Sequence, residues 1–338
     1  MERALRVGIV GLGGMGTGHA GHVEAAGHEV VAGADVDADA QAAFAEEFGA
    51  ATYGGHEAMY DAEDLDAAIV TTPNRFHEPA AVAALERGIP VEIEKPLAHD
   101  LPAAERIAAA ARESEAFGVV GFNNRYTFPV ETFKAYQAEG HFGGVNHVRA
   151  EWIRRYGGSP GPDGWFRDPE LAGGGALIDI GVHMLDLALY MLDFPEVVEV
   201  AGRTRTDFLE GEDTVDDSVT ALVRCAGGQT VSLEASWAAR QRPSQRVVAR
   251  GPDAGAEFER MADEMTLVEF GEQGVAHERD VELRGEMEPS AHAAEDRRFL
   301  AAVATGEPPA NSIDDALTVQ RVIDAIYRSS ESGAAQRL

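Results

Sequence analysis

In the first part of the chain, short apolar runs alternate with amphipathic stretches. The apolar runs have the length of buried strands, and the stretches between them repeat apolar residues at helical spacing. The strand candidates are residues 5–10, 29–34, 67–71, 90–93 and 119–122, and the helix candidates are residues 15–26, 38–48, 79–87 and 102–115. Because strands that alternate with helices are typical of a parallel sheet, we predict an α/β fold with a doubly wound parallel sheet over residues 1–123.

After residue 122 the pattern changes. A helix over 129–138 and an alternating strand over 145–154 precede a glycine- and proline-rich loop, residues 157–175, and a helix over 176–192. Strand-like segments then follow one another between 197 and 281, and helices over 291–305 and 312–332 close the chain. This order predicts an α+β domain with an open, mainly antiparallel sheet over residues 124–338. We expect the last helix to pack back on the first domain.

A glycine motif, residues 11–16, follows the first predicted strand and opens the first predicted helix. Glycines at this junction let backbone N–H groups approach a pyrophosphate at the positive end of the helix, as in a Rossmann domain. Asp35 ends the second predicted strand 19 positions after Gly16, the spacing of a carboxylate that binds the adenosine ribose. A glycine turn without a ligand would leave Asp35 unexplained. The predicted dinucleotide site comprises Gly11, Gly13, Gly14, Met15, Gly16 and Asp35.

The motif fits a nicotinamide or a flavin dinucleotide. The carboxylates of Asp35 and Asp37, with no arginine close in sequence, disfavour the 2′-phosphate of NADP. NAD is therefore predicted, and NADP stays open because high salt would screen the repulsion that discriminates the two.

A second candidate site follows three consecutive glycines, residues 173–175. Asp179 and His183 are four residues apart on the helix predicted there, so both side chains project from one face. A carboxylate beside an imidazole can orient the ring and stabilise its protonated form, as a general base near neutral pH requires. The pair would also suit a helix surface or two ligands of a metal ion, but no third or fourth ligand is apparent.

His19 and His22 lie three residues apart on the first predicted helix. They could supply two metal ligands, but a solvated helix face is the more common arrangement. The single cysteine, Cys225, excludes an internal disulfide and a cysteine-rich zinc site. No metal is therefore predicted.

The chain carries 58 acidic residues against 28 lysines and arginines, a formal net charge of −30. Such a surface disfavours nucleic acid and anionic membranes as partners, and it is typical of a halophilic organism. No apolar stretch approaches the length of a membrane-spanning helix, so a soluble cytoplasmic protein is expected.

Only two of the basic residues are lysines, Lys95 and Lys134. Lys95 stands at the end of a short apolar run that is predicted to be a buried strand. In a chain whose positive charge is almost all arginine, this lysine suggests chemistry that needs a compact ammonium, since a guanidinium cannot be deprotonated in a protein.

Five segments resemble the glucose–fructose oxidoreductase/inositol dehydrogenase/MocA family, in order and in spacing. They are residues 11–16, 71–74 with His77, 94–96, 121–126 and 173–183. The resemblance covers the whole chain. It implies an NAD(P)-dependent oxidoreductase with a Rossmann domain and a C-terminal domain whose open sheet packs in homodimers or homotetramers.

The resemblance also implies roles for individual residues. Lys95 and His183 are the implied catalytic pair, supported by Asp179, and the Lys95–Pro96 bond is often cis in relatives. The residues implied to line the cofactor are Thr72, Pro73, Asn74, His77, Glu94, Lys95 and Asn123. In the implied reaction His183 takes the proton of a hydroxyl group while Lys95 hydrogen-bonds the same oxygen.

The predicted substrate is a sugar or cyclic polyol, aldose-like or inositol-like. An indole can pack on the C–H face of a sugar, and forked donors suit several hydroxyl groups. The residues predicted to bind it are Lys95, Arg125, Trp165, Arg167, Asp179 and His183, and Glu151, Arg154 and Arg155 could also face it. Alternatively, Trp165 would serve loop packing and the arginines would form ion pairs with acidic residues. Several arginines in one cleft would also suit a sugar acid or a nucleotide sugar as the substrate.

We therefore predict a sugar or polyol dehydrogenase. Three alternatives stay open: a reductase that works on a keto-sugar, a dinucleotide-binding regulator without turnover, and an NAD-dependent glycoside hydrolase that oxidises and re-reduces its cofactor within one cycle.

Overall fold

The computed structural model describes residues 3–155, 164–209, 215–260, 262, 264–270, 276–281, 290–309 and 311–338. The chain divides into two compact units. The first unit contains Met1–Phe122 and Glu288–Gln320, and the second contains Asn123–Met287 and Arg321–Leu338.

The first unit is built on a six-stranded parallel sheet. Its elements up to residue 122 are β1 (Arg6–Val10), α1 (Gly14–Ala25), β2 (Glu29–Ala34), α2 (Ala38–Phe48), β3 (Ala51–Tyr53), α3 (His56–Ala62), β4 (Ala67–Val70), α4 (His77–Glu86), β5 (Val91–Ile93), α5 (Leu101–Glu113) and β6 (Gly118–Val120). The strand order is β3-β2-β1-β4-β5-β6, which confirms the predicted doubly wound sheet. The sequence pattern does not predict β3 and α3, because they are too short to show a period.

The strand order of this sheet reverses between β1 and β4. Both strands belong to the core: Val7, Ile9 and Ile69 are fully buried, and every residue of β4 is buried. Ligands of open α/β sheets bind outside the carboxyl ends of the strands at such a reversal. The loops after β1 and β4 are therefore the expected binding position.

The second unit is built on a nine-stranded mixed sheet. The elements that follow β6 are α6 (Phe128–Ala138), β7 (His147–Arg155), α7 (Pro169–Ala172), α8 (Val182–Met191), β8 (Val197–Arg205), β9 (Ser218–Cys225), β10 (Thr230–Ala239), β11 (Arg246–Arg250), β12 (Ala254–Glu259), β13 (Met265–Phe270), β14 (Ala276–Val281), α9 (Ala291–Thr305), α10 (Ile313–Ser332) and β15 (Gln336–Arg337). The strand order is β14-β13-β12-β11-β7-β10-β9-β8-β15. Within this second sheet, β7 and β10 are the only described strands that pair in parallel, so the predicted mainly antiparallel sheet is confirmed.

One face of this second sheet is packed, as β9 shows. Its residues alternate between buried and exposed: Val219 and Val223 are buried, whereas Leu222 is 51% exposed. Such alternation is typical of an antiparallel sheet with one face on the core. The helix α8, buried at nearly every position, contacts β7 and β10.

The segment before α8 differs in detail from the prediction. Residues 157–163 of the predicted loop lie outside the described ranges, and the rest contains a 3₁₀ turn (Gly164–Arg167) and α7. The helix predicted from residue 176 begins with a π-helical turn, Leu177–Gly181, and becomes α-helical only at Val182.

One helical segment of the described residues, Pro169–Met191, has the length and apolarity of a membrane-spanning helix, with a mean hydropathy of 1.3. The expectation that no apolar stretch approaches that length is therefore wrong for this segment. However, 83% of the most apolar 18-residue stretch of this segment is buried inside the fold, which is typical of a core helix.

A buried ion pair anchors α8 in the second unit. Arg125 and Asp186 are 2% and 0% exposed, and the guanidinium donates to both carboxylate oxygens, with Nε 2.9 Å from Oδ2. The guanidinium carbon also lies 4.8 Å from the ring centre of Tyr190 and 4.9 Å from that of Phe194. Removing one partner of a fully buried, two-bond ion pair strongly lowers the stability of the fold, because the remaining charge has no water to solvate it. These contacts give Arg125 a structural function, and its predicted contact with substrate stays a prediction.

We expect Asp186→Asn to lower the free energy of unfolding by about 3–5 kcal/mol, because it leaves the Arg125 charge buried without its counter-charge. Urea unfolding followed by circular dichroism measures the loss. The matched control is Arg328→Ala, which breaks the exposed pair of Arg328 with Asp324 at 2.7 Å. The control should cost less than about 1 kcal/mol, and an equal loss in both variants would contradict a structural role for the buried pair.

Candidate functional site

The loop after β1 packs its backbone against the turn after β4. Gly11 has a φ of +92°, and a Cβ there would lie 2.9 Å from backbone atoms of Thr71 and Thr72. A Cβ on Gly16 would lie 2.0 Å from the Gly11 carbonyl oxygen, to which the Thr71 hydroxyl donates at 2.7 Å. Gly11 requires glycine because of its positive φ and its close backbone contact, and Gly16 requires glycine because of its close contact alone.

The middle of the glycine loop faces open space. A Cβ on Gly13 or Gly14 would meet no atom within 4 Å, and Met15 is 45% exposed. Gly13 is the N-cap of α1, and no side chain caps this helix end. Backbone N–H groups at the positive end of a helix, beside an open surface, fit the pyrophosphate of a dinucleotide.

Asp35 follows β2 and holds the glycine loop from the other side. Its Oδ2 accepts the N–H of Leu12 at 2.7 Å, and its Oδ1 accepts the N–H of Asp37 at 2.9 Å. Asp37 in turn caps α2 by accepting the N–H of Asp39 at 2.9 Å. Each oxygen of Asp35 keeps a second lone pair, so the carboxylate can also accept from a ribose hydroxyl.

His77 ties the turn after β4 to the turn after β5. It is 1% exposed, and its ring nitrogens each lie 2.8 Å from a backbone oxygen, that of Thr72 and that of Pro96. Burial lowers the pKa of His77 despite these contacts. The buried ring acts on the predicted cofactor site by holding both turns. Asn74, also buried, and Pro73 lie in the same turn.

Lys95 lies directly after β5, and Glu94 fixes its backbone. The buried Glu94 accepts the Lys95 N–H at Oε2 (2.9 Å), while its Oε1 lies 3.2 Å from His19 Nε2. Burial opposes ionisation, but the hydrogen bond and charge of His19 with the nearby Lys95 charge lower the pKa of Glu94 to about 2. The Lys95–Pro96 bond is cis, as the resemblance implied.

His19 does not lie on a solvated helix face, so that expectation is wrong. It is 2% exposed, and its Nδ1 lies 2.6 Å from Oδ1 of Asp296, a residue of α9. Burial disfavours its charged form, but the hydrogen bonds to Asp296 and Glu94 raise the pKa of His19 well above its ordinary value. His22, whose side chain is 30% exposed, lies 2.6 Å from the other oxygen of Asp296. The sequence could not show this burial, because α9 is far away along the chain.

In the second unit, Asp216 organises the turn that follows the three glycines. It accepts the N–H of Gly175 at 2.8 Å, the N–H of Leu177 at 2.9 Å and the hydroxyl of Tyr327 at 2.8 Å. A Cβ on Gly175 would lie 1.8 Å from the backbone oxygen of Asp216, so only glycine fits there. Burial raises the pKa of Asp216, although these hydrogen bonds favour the carboxylate.

Asp179 lies in the π-helical turn that starts at Leu177. The indole Nε1–H of Trp237, a fully buried residue of β10, donates to Asp179 Oδ2 at 2.9 Å, and an Arg154 guanidinium nitrogen lies 4.0 Å from the same oxygen. Turns of π-helix are often found at functional sites, because they re-aim a side chain. The carboxylate is therefore held in a fixed direction.

His183 occupies the first turn of α8 and is 7% exposed. Its ring lies 5.8 Å from that of Trp152, and the Arg260 guanidinium lies 4.3 Å from the Trp152 ring centre. Burial, with the charge of Arg154, lowers the pKa of Arg260 to about 10. The second unit thus brings a histidine, a carboxylate, two indoles and two arginines close together.

The remaining predicted substrate residues lie in other surroundings. Trp165 and Arg167 are half-buried in the 3₁₀ turn, and the Trp165 ring stacks on Phe166 at 3.9 Å. Glu151 accepts from the Ser244 hydroxyl and pairs with Arg149, each at 2.5 Å. Asn123, predicted to line the cofactor, is buried at the start of the second unit.

Sequence reasoning missed four residues at these positions: Trp152, Asp216, Trp237 and Arg260. Trp152 and Trp237 lie on strands whose alternation marks them only as core residues. Asp216 and Arg260 lie in loops, where no spacing links them to the glycine turn or to His183. These four residues come close to Asp179, His183 and the glycine turn only when the strands of the second sheet pair.

Comparisons with known proteins agree with this geometry. Residues 5–122 match the family described as "Oxidoreductase family, NAD-binding Rossmann fold", and residues 130–257 match the "GFO/IDH/MocA C-terminal domain". The D-xylose 1-dehydrogenase (NADP(+)) 2 of Haloferax volcanii is 30% identical over 348 residues, which cover 98% of this chain and 99% of that protein.

A second relative is the putative UDP-kanosamine synthase oxidoreductase subunit of Amycolatopsis mediterranei, 36% identical over 249 residues that cover 69% of this chain and 68% of that protein. Among solved structures, a levoglucosan dehydrogenase in complex with NADH and levoglucosan has a TM-score of 0.90 and 25% identity, and covers 99% of both chains.

The two matched regions include the glycine loop, Lys95 and the His183 segment. The predicted nicotinamide cofactor is confirmed, while the preference for NAD over NADP stays a prediction. The chain belongs to the GFO/IDH/MocA family of NAD-binding oxidoreductases, as the resemblance of its motifs implied.

Proposed function

We propose that this chain, an NAD(P)-dependent sugar or polyol dehydrogenase, acts at one hydroxyl-bearing carbon of an aldose or cyclic polyol, with His183 as the general base and Lys95 and Asp179 in support. Relatives named for D-xylose and for levoglucosan support a carbohydrate substrate. The observation that carries the proposal is that both side chains of the Asp179–His183 pair are held in place. The Trp237 indole donates a hydrogen bond to Asp179, and His183 is buried beside Trp152.

Each residue then has a defined task. The glycine loop and Asp35 would hold the dinucleotide, whose nicotinamide would supply the hydride acceptor or donor. His183 takes the proton of the reacting hydroxyl, and Asp179, aimed by Trp237, favours the protonated ring that results. Lys95, whose backbone is fixed by Glu94, donates a hydrogen bond to the same oxygen and stabilises its developing negative charge.

The groups around His183 also fit the shape of a sugar. The Trp152 indole offers a flat face, and the guanidinium groups of Arg154 and Arg260 lie 5.6 Å and 4.3 Å from its ring centre. Aromatic faces pack on sugar C–H bonds, and guanidinium groups donate to several hydroxyl oxygens. Because two positive groups share this ring, a sugar acid is the second candidate substrate.

The deciding experiment follows NADH and NADPH absorbance with a panel of inositols, aldoses, sugar acids and glycosides in multimolar KCl. Net reduction of cofactor by an aldose or inositol is the expected result. Consumption of reduced cofactor with a keto-sugar alone would indicate a reductase, and sugar release without net reduction would indicate a glycoside hydrolase. Cofactor binding without any turnover would indicate a regulator.

We also propose a cytoplasmic homodimer or homotetramer that assembles through the second sheet and binds neither nucleic acid nor membranes. Support comes from the net charge of −30 and from Leu222, 51% exposed on the outer face of that sheet. Light scattering in KCl checks the assembly, and a monomeric mass would overturn it.

Lys95→Ala is expected to fold and bind NAD but to lose about 10²–10⁴-fold in kcat, the range for a removed proton-handling group. The control is Lys134→Ala, which removes the only other lysine and its contacts with Asp193 and the Tyr190 carbonyl. Steady-state kinetics with the best substrate of the panel measures both. Unchanged kcat in Lys95→Ala would end its catalytic assignment.

His183→Asn is expected to abolish the rise of kcat/KM with pH between about 6 and 8, the range in which histidine titrates. Asp179→Asn keeps an oxygen for the Trp237 indole but removes the charge, so the rise should move to lower pH. His277→Asn, a change at an exposed histidine of the same unit, is the control. A wild-type pH profile in His183→Asn would assign the base role elsewhere.

A further inference from the structure

The first unit contains a buried group of histidines and carboxylates that the proposed reaction does not use, apart from Glu94. We call it the α1–α9 cluster. Its members come from α1, β5 and its carboxyl end, and α9: His19, His22, Glu92, Glu94, His292, Glu295 and Asp296. Their positions span almost the whole chain, so only the fold of the first unit assembles them.

The Asp296 carboxylate lies between two imidazoles. Its Oδ1 lies 2.6 Å from Nδ1 of His19 and its Oδ2 lies 2.6 Å from Nδ1 of His22. One ligand atom from each residue can be chosen so that all three lie within 4.8 Å of one another. The side chains of His19 and Asp296 are 1% exposed, whereas that of His22 is 30% exposed, so the group opens to solvent on one side.

Glu94 contacts the ring nitrogen of His19 that faces away from Asp296. The Nε2 of His19 lies 3.2 Å from Glu94 Oε1, which leaves Nδ1 on the side of Asp296 and His22. A histidine that binds a metal through one ring nitrogen nearly always donates the other N–H to a carboxylate or carbonyl, which fixes its tautomer. His19 already has this arrangement.

The cluster also holds more carboxylates than its visible hydrogen bonds satisfy. Glu92 and Glu295 are each 1% exposed, and among the described residues neither carboxylate has a hydrogen-bond partner. The cluster contains four carboxyl groups and three imidazoles, so a dication would complement its excess of acidic groups.

We propose that His19 Nδ1, His22 Nδ1 and an Asp296 oxygen bind one divalent transition-metal ion, with Zn²⁺ as the expected ion. Imidazole and carboxylate ligands suit zinc, and Zn²⁺ sites commonly have three protein ligands with a fourth position for water. His292 lies on the same helix as Asp296, and its ring centre is 6.2 Å from that of His19.

Binding requires the ligands to rearrange around the ion. Ligands about 2.0–2.1 Å from a tetrahedral zinc ion stand about 3.3 Å apart, so the Asp296 carboxylate must move back by roughly 0.7 Å from its 2.6 Å contacts. The three ligand atoms, which now lie within 4.8 Å of one another, must adjust to the same spacing. His22 can turn toward the ion because part of its side chain is in solvent. The exposed edge of His22 is also the route by which an ion enters.

The ion would serve the structure of the first unit. It would join α1, which follows the glycine loop, to α9 through His19, His22 and Asp296, and without the ion both histidines hydrogen-bond to Asp296. Binding therefore adds stability in proportion to the logarithm of the metal concentration over its dissociation constant. Because the ion replaces protons on both imidazoles, its affinity falls as the pH is lowered.

The experiment uses the full chain, purified without a histidine tag, stripped with EDTA and returned to chelator-treated KCl buffer. The stripped chain is loaded with Zn²⁺ and desalted, and Zn²⁺ per chain is measured by mass spectrometry. Separate samples are titrated with Co²⁺ while its visible absorption bands are recorded, and melted at increasing Zn²⁺ concentrations. The variants are His22→Ala, at the partly exposed ligand, and His277→Ala, an exposed histidine of the second unit, as control.

We expect one Zn²⁺ per wild-type and His277→Ala chain, tetrahedral Co²⁺ bands, and a melting temperature that rises with Zn²⁺. His22→Ala should bind about 10–100-fold more weakly and lose the rise. Wild-type chains without stoichiometric metal or Co²⁺ bands, or equal binding in His22→Ala, would overturn the proposal and leave a proton-sharing cluster. The Co²⁺ titration of the wild-type chain tests the metal site even if His22→Ala does not fold.

Discussion

The close backbone contact between the glycine loop and the turn after β4 is the constraint on which the first unit depends. A Cβ on Gly11 would lie 2.9 Å from the Thr71 backbone, and a Cβ on Gly16 would lie 2.0 Å from the Gly11 oxygen. No other residue fits, and the same approach leaves the N-terminus of α1 open beside the strand reversal. The cofactor site is thus a consequence of how two loops pack at the carboxyl ends of β1 and β4.

Carboxylates hold the turns that matter in both units. Asp35 accepts backbone N–H groups of the glycine loop, Glu94 accepts that of Lys95, and Asp216 accepts those of Gly175 and Leu177. A carboxylate can take several N–H donors at once, so one side chain fixes a loop that has no regular hydrogen-bonding pattern. In a chain with 58 acidic residues, these three carboxylates determine the geometry of the turns.

Arginine and lysine have different tasks in this chain. Arg125 uses its planar fork to bind both oxygens of the buried Asp186, a task for which a lysine is the wrong shape. Lys95 is one of only two lysines, and it stands just beyond the end of β5, where the buried Glu94 accepts its backbone N–H. Its scarcity marked it in the sequence, whereas the structural task of Arg125 became visible only in the fold.

The sequence determined the two domain types, the glycine loop, Asp35, Lys95 and the Asp179–His183 segment, because each is encoded by local spacing or by a rare residue. It could not determine what covers each side chain. The two histidines of α1 suggested a solvated face, yet His19 is buried against Asp296 of α9, 277 positions later. Asp179 similarly meets Trp237 from β10, 58 positions away, in a π-helical turn that no spacing predicts. Contacts of this kind depend on strand order and helix docking, and only the tertiary structure decides them.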